Sequence, residues 1–108
     1  MARINYVELG AGDVAAARAF YEAVFGWRMQ AFGPDYAATV SGDVDLGLDG
    51  AGGAAPLPVI AVADLAAAEA AVVAAGGAIV RPAFSFPGGR RFHFRDPAGN
   101  VLAAWVEE

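Results

Sequence analysis

DVAAARAFYEAVFGWRM, residues 13–29, and DLAAAEAAVVAAGGAIV, residues 64–80, carry one pattern twice, 51 positions apart. Asp13 aligns with Asp64, Ala15 to Ala17 with Ala66 to Ala68, Ala19 with Ala70, Ala23 with Ala74 and Gly26 with Gly77. The alanines say little in an alanine-rich chain; the framing residues say more. An Asp ahead of an apolar run caps a helix by accepting its orphan N–H bonds, and a Gly beyond the run takes the left-handed conformation that stops it. The spacing predicts helices over 14–25 and 65–76, with inward stripes at Val14, Ala17, Tyr21 and Val24, and at Leu65, Ala68, Val72 and Ala75. A chain of 108 residues that repeats itself in this way reads as a duplicated half-domain.

Outward from the helices, each copy is preceded by a strand-like run, Ile4 to Leu9 and Leu57 to Val62. Three more follow each helix: Trp27 to Phe32, Tyr36 to Val40 and Val44 to Leu48 in the first half, and Ala78 to Phe84, Arg91 to Arg95 and Val101 to Val106 in the second. Gly, Pro, Asp and Asn punctuate them, as in Phe32-Gly-Pro-Asp and Asp96-Pro-Ala-Gly-Asn100. Each half is therefore a βαβββ module, 1–50 and 55–108, and the Gly- and Ala-rich stretch Asp49 to Pro56 reads as the linker. A chain of 108 residues makes one ordinary domain, whereas a half of about 50 residues is near the lower limit for a self-sufficient core, so the halves are expected to pack together or on a second chain.

Composition narrows the function classes. Hydrophobic residues make up 57% of the chain and mean hydropathy is +0.45, more apolar surface than a lone small domain easily hides, which favours a homodimer. The absence of cysteine excludes a disulfide framework, a thiol nucleophile and a zinc–thiolate site. No basic, apolar N-terminal signal is apparent, and Asp64, Glu69 and Arg81 interrupt the longest apolar stretch, so a cytoplasmic protein without a membrane partner is expected. A net charge of −5 leaves no overall basic field to collect nucleic acid. The glycines at 47, 50, 52 and 53 do not open a capped helix, so no phosphate loop and no nucleotide cofactor is expected.

Tyr6-Val-Glu-Leu9, Asp13 through Arg18-Ala-Phe20-Tyr21 to Phe25-Gly26-Trp27, and Arg90-Arg-Phe-His-Phe-Arg-Asp-Pro-Ala-Gly-Asn100 together resemble the vicinal oxygen chelate superfamily. That group includes glyoxalase I, bleomycin-resistance proteins, fosfomycin-resistance enzymes and extradiol dioxygenases; the likeness is to its glyoxalase-like branch. The resemblance implies an α+β fold of two tandem βαβββ modules whose strands form an open, cup-like mixed sheet with the helices outside. In metal-dependent members one ligand comes from the first strand and one from the last strand of each module, typically His and Glu. Counting from the anchors places those positions at Tyr6, at Leu57, at Ala103, and at either Asp45 or Gly47. A catalytic Zn or Fe site wants about three imidazole or carboxylate ligands, and the chain has one His, so no metal and no cofactor is expected. A carboxylate-only Mg or Mn site from Asp45 and Glu8 is the remaining metal option.

Strand alternation sends Tyr6 and Glu8 to the concave face, with Leu57 and Val59 from the matching strand and Val101, Ala103 and Trp105 from the last. Glu8 is a candidate general base, because partial burial raises a carboxyl toward that range; the alternative is that it meets water or pairs with an Arg. Tyr6 can donate its hydroxyl to a bound oxygen or simply fill the vacated ligand position. Arg91, His93 and Arg95 alternate with Phe92 and Phe94, so Arg91 and His93 offer an anion-binding surface opposite an apolar face, or form a solvated edge. Trp105 is placed to stack on a flat ligand, whereas Trp27 is expected to cover the helix end. Phe84-Ser-Phe-Pro-Gly-Gly89 suits a loop over a pocket or a surface hairpin, and Asp96 to Asn100 a structural turn. The expected function is a glyoxalase-like protein binding a small aromatic or carboxylate-bearing molecule among Tyr6, Glu8, Arg91, His93 and Trp105. Its alternatives are a lyase or isomerase using Glu8 or a non-standard metal site, and a structural module whose cup is filled by its own side chains.

Overall fold

Both helices begin where the capping aspartates dictate. The structure, a computed structural model, describes residues 2–53 and 55–108. Asp13 accepts the Ala16 N–H at 3.0 Å and starts α1 (Val14–Phe25), and Asp64 accepts the Ala67 N–H at 3.0 Å and starts α2 (Leu65–Ala74). The two helices stop differently. Gly26, at φ 70°, closes α1 through one bond from its N–H to the Glu22 carbonyl. In α2 the left-handed residue is Gly76, at φ 96°, not the Gly77 that the repeat predicts. Gly76 donates to the Val73 carbonyl and Gly77 to that of Val72, a paired closure that ends the helix two residues early. Gly77 is needed for a different reason, since a Cβ there would press on Val72 and the Arg95 carbonyl.

Asn5–Leu57 and Pro58–Glu108 form two compact units. In the first, β1 (Arg3–Gly10), β2 (Met29–Ala31), β3 (Tyr36–Thr39) and β4 (Asp45–Asp49) run in the order β2-β3-β4-β1, with β1 parallel to β4 and the other pairs antiparallel. Arg3 and Ile4, at the start of β1, group with the second unit. In that unit β5 (Leu57–Ala61), β6 (Ala78–Phe86), β7 (Gly89–Arg95) and β8 (Val101–Glu107) run in the order β5-β8-β7-β6, again with only the first and last strands parallel. The strand order of one module is thus the strand order of the other, as a duplication requires.

Each helix covers one face of its own sheet. Val14 packs with Met29, Ala37 and Leu48, flanked by Leu9, Ala17, Tyr21 and Leu46. Leu65 packs with Phe92 and Ala104, flanked by Ala68, Val72, Ile79, Phe94 and Val106. The predicted stripes hold for their first three members and fail at the fourth, since Val24 and Ala75 are exposed. Val24 lies in the last turn of α1, and Ala75 is the residue after α2.

The predicted linker is less slack than its composition suggests. Asp49 ends β4, its carbonyl accepts the N–H groups of Ala11 and Gly52, and its carboxylate takes that of Ala51. A Cβ on Gly10 would overlap the carbonyls of Gly52 and Gly53, so the chain leaves β4 by crossing directly over the end of β1. Ala54, within the predicted linker, lies outside the described residues.

Candidate functional site

Each module turns chemically distinct side chains to the sheet face away from its helix. In the first module these are Tyr6 and Glu8 on β1, joined by Tyr36 on β3. Tyr36 donates its hydroxyl to Glu8 Oε2 at 3.0 Å, which commits its single proton, so the 2.5 Å contact between the two phenolic oxygens has Tyr6 as donor. The result is a directed chain, Tyr6 to Tyr36 to Glu8, ending on a carboxyl that is only 9% exposed. Burial raises the Tyr36 phenol well above its ordinary value, and the charge of the Glu8 carboxylate that accepts its proton pushes it further the same way. Tyr36 therefore stays a neutral donor.

Gly47 makes the chain possible. It lies opposite Glu8 in the β1–β4 ladder and opposite Ala38 in the β3–β4 ladder. A Cβ there would overlap the hydroxyl oxygens of both Tyr6 and Tyr36. Two phenols thus occupy the space above β4 that any other residue at 47 would claim.

Asp45, two residues earlier, is engaged elsewhere. It accepts the Thr39 hydroxyl at 2.8 Å, the Ser41 N–H at 2.7 Å and the Gly42 N–H at 3.2 Å, which knots the hairpin between β3 and β4. Burial acts to raise its carboxyl, but those hydrogen bonds outweigh it and hold the group below its usual value. The register also settles which residue corresponds to Ala103. Val59 faces Ala103 in β5–β8 as Glu8 faces Gly47 in β1–β4, so the equivalent residue is Gly47 and not Asp45. The positions where the resemblance puts metal ligands are consequently Tyr6, Gly47, Leu57 and Ala103, which offer neither imidazole nor carboxylate. Among the described residues no three His, Asp or Glu side chains converge to hold an ion. The donor set does not fit the metal that the superfamily implies, and the Asp45 carboxylate already accepts three of the hairpin's own donors.

In the second module the open face is cationic and aromatic. Two cross-strand rows build it: Phe84, Arg91 and Trp105, and beside them Arg81, His93 and Ala103. Phe92 points the other way and is fully buried against α2, which confirms the alternation along β7. The Arg91 guanidinium lies 5.4 Å from the Phe84 ring centre and 5.5 Å from that of Phe86, and Arg81 stacks over Phe84 at 3.6 Å. Phe86 packs on Trp105 at 6.2 Å and Phe84 on His93 at 5.7 Å. Arg91 Nε and His93 Nε2 are withdrawn from solvent.

The structure therefore brings Tyr6 and Glu8 together through Tyr36, and Arg91, His93 and Trp105 together through Phe84, Phe86 and Arg81. Tyr36 and Arg81 were not singled out by the sequence as site residues, and Phe86 only as part of the Phe84 to Gly89 segment. Phe84 and Phe86 are not on a loop, because β6 continues to Phe86 and only Pro87 and Gly88 turn. Asp96 to Asn100 is a structural turn, with Asp96 accepting from Ala98 and Asn100 and Gly99 at φ 95°. Trp27 stacks on Tyr21 and Phe25 at the end of α1, as a covering residue should.

Two modules of identical strand order, each with one covering helix, define the paired βαβββ class. The chain belongs to the Glyoxalase/Bleomycin resistance protein/Dioxygenase superfamily, whose family model matches residues 3–104. Solved structures show the same fold. A superfamily member from Vibrio splendidus 12B01 aligns at TM-score 0.75 and 18% identity over 99% of this chain and 100% of its own. A Legionella pneumophila protein described as an NAD-dependent benzaldehyde dehydrogenase aligns at TM-score 0.77 and 15% identity, over 95% and 98%. The Mn(II)-bound glyoxalase of Novosphingobium aromaticivorans aligns at TM-score 0.71 and 24% identity; 98% of this chain covers 40% of that one. No functionally curated protein matches the sequence.

Proposed function

We propose that the protein binds a small organic molecule, aromatic or carboxylate-bearing, on the open face of its second module, without a metal ion. The observation that carries this reading is the row Phe84–Arg91–Trp105, in which a planar cation sits among flat rings. A guanidinium offers paired donors to a carboxylate, and the rings accept a flat apolar body. The missing donors at Tyr6, Gly47, Leu57 and Ala103 support the metal-free part. The same reading makes the two modules one domain of a cytoplasmic homodimer; its supports are the lack of cysteine and the exposed apolar side chains. No helix among the described residues is long and apolar enough to cross a membrane.

A thermal-shift screen of aryl and alkyl carboxylates tests it. Ligands of the folded state raise the melting temperature by mass action. The expected result is a concentration-dependent rise that excess chelator leaves intact and that Arg91→Ala removes. A rise that appears only with an added divalent ion would overturn the proposal.

A second reading is favoured by the Tyr6–Tyr36–Glu8 chain: a lyase or isomerase in which Glu8 is the base and Tyr36 fixes its carboxylate. Under it Glu8→Gln keeps the fold and abolishes turnover of whatever substrate the screen identifies. Unchanged kcat removes Glu8 from the mechanism.

A further inference from the structure

The end of α1 displays an aromatic cluster that the core of its module does not absorb. Phe20 and Phe25 are each 57% exposed, Val24 54% and Trp27 38%. Trp27 lies nearly parallel to Tyr21 at 5.7 Å and to Phe25 at 5.2 Å, and Phe20 meets Tyr21 edge-on at 5.2 Å, so the rings form one continuous ridge. The β3–β4 hairpin adds Val40 and Val44, 65% and 53% exposed. With Trp27, Val7, Leu46 and Arg28 these valines line a pocket of about 440 Å³ beside the ridge. Both parts are preformed. Stacking fixes the rings, and the bonds from Thr39, Ser41 and Gly42 to Asp45 fix the hairpin, so little freedom would be lost on docking.

The extent of the surface identifies its occupant. The six exposed side chains leave roughly 600 Å² of apolar area in water, at about 200 Å² for each aromatic residue and somewhat less for valine. That is the upper end of what a monomer shows, and three-quarters of the about 800 Å² that each partner buries in a stable complex. A small molecule in the pocket would leave the ridge uncovered. The charges on the face are of mixed sign in a chain of net charge −5, because Arg18 and Glu22 pair at 3.2 Å and the pocket is lined by one Arg, Arg28, and one Asp, Asp45. A second copy would therefore meet no one-signed field here. A ridge and a hollow side by side on one face are self-complementary under a two-fold axis.

We infer that this face is a homodimer interface, in which the Phe20–Phe25 ridge of one protomer seats in the Trp27–Val40–Val44 pocket of a second copy. The inference rests on the homodimer reading above and supplies its location. Sedimentation velocity from 1 to 100 µM, about a hundredfold range, compares the wild type with Phe20→Ser/Phe25→Ser and with Val73→Ser/Val80→Ser, exposed valines of the second unit. Expected are a particle of twice 11.0 kDa for the wild type and the valine control, and a monomer for the phenylalanine variant with an unchanged far-ultraviolet dichroism spectrum. A dimer that survives both Phe20→Ser/Phe25→Ser and Val40→Asp overturns the location but leaves the homodimer. A wild type that is monomeric throughout overturns both. Should the double variant fail to fold, Val40→Asp on the exposed hairpin decides by the same criterion.

Discussion

Replacing Gly47 by Ala should destabilise the protein, although the same change in an ordinary strand would help. Gly47 does not have positive φ, so Ala is sterically allowed by the backbone and would recover about 0.5–1 kcal/mol of chain entropy. Against that, the new methyl overlaps the hydroxyls of Tyr6 and Tyr36, and both phenols must move. The move breaks the Tyr36 bond to the buried Glu8 carboxylate, worth about 1.5–3 kcal/mol as a hydrogen bond to a charged group, along with the bond between the phenols. The net expectation is a loss of roughly 1–3 kcal/mol, which in a domain of this size lowers the melting temperature by about 5–15 °C. Thermal unfolding followed by far-ultraviolet dichroism measures it. The same substitution placed in a Tyr6→Phe/Tyr36→Phe background should cost less, because the two nearest obstructing atoms are gone. If Gly47→Ala is neutral or stabilising, or if its cost is the same in both backgrounds, the phenol chain does not depend on the missing side chain.

Three further outcomes follow from the described contacts. Phe92→Ala, at a fully buried site, should cost about 3–5 kcal/mol in chemical denaturation, against less than about 0.5 kcal/mol for an exposed change such as Val73→Ala. Asp45, Glu22 and Asp96 are all held below the usual carboxylate value, so their stabilising contribution is complete above about pH 4 and fades as the pH falls through their folded values; Asp45→Asn should flatten that acid limb in a pH series of melting curves. Tyr36 is shifted upward instead, so its contribution is present below about pH 10 and lost as the pH rises. Ultraviolet titration should accordingly find Tyr36 silent until the protein unfolds, and in Tyr36→Phe that delayed signal should vanish.

What was legible in the sequence was set by local chemistry. Asp13, Asp64 and Gly26 act on neighbours within one helical turn, and their roles were readable without knowing the fold. The alternation along Arg91 to Arg95 likewise showed which face would carry Phe92 into the core. Tyr36 escaped because it stands 28 positions from the carboxylate it serves, and the ladder that joins them is not written in either strand. One signal was available: Gly47 sits inside a strand, where glycine weakens pairing and marks a close approach. The extent of β6 was missed because Pro87 and Gly88 suffice for the turn, so the aromatic pair reads as loop in composition and as strand in geometry. The helix stripes failed at Val24 and Ala75 because periodicity records which face turns inward and not how far along the helix the packing extends.

The tight passage over Gly10 bears on how the two halves of such a gene can be parted. A junction held by Asp49, Ala51 and Gly52 against the tip of the opening strand behaves as a clasp. Half-genes intended for separate expression should therefore be cut downstream of the clasp, so that the leading fragment keeps its own closure.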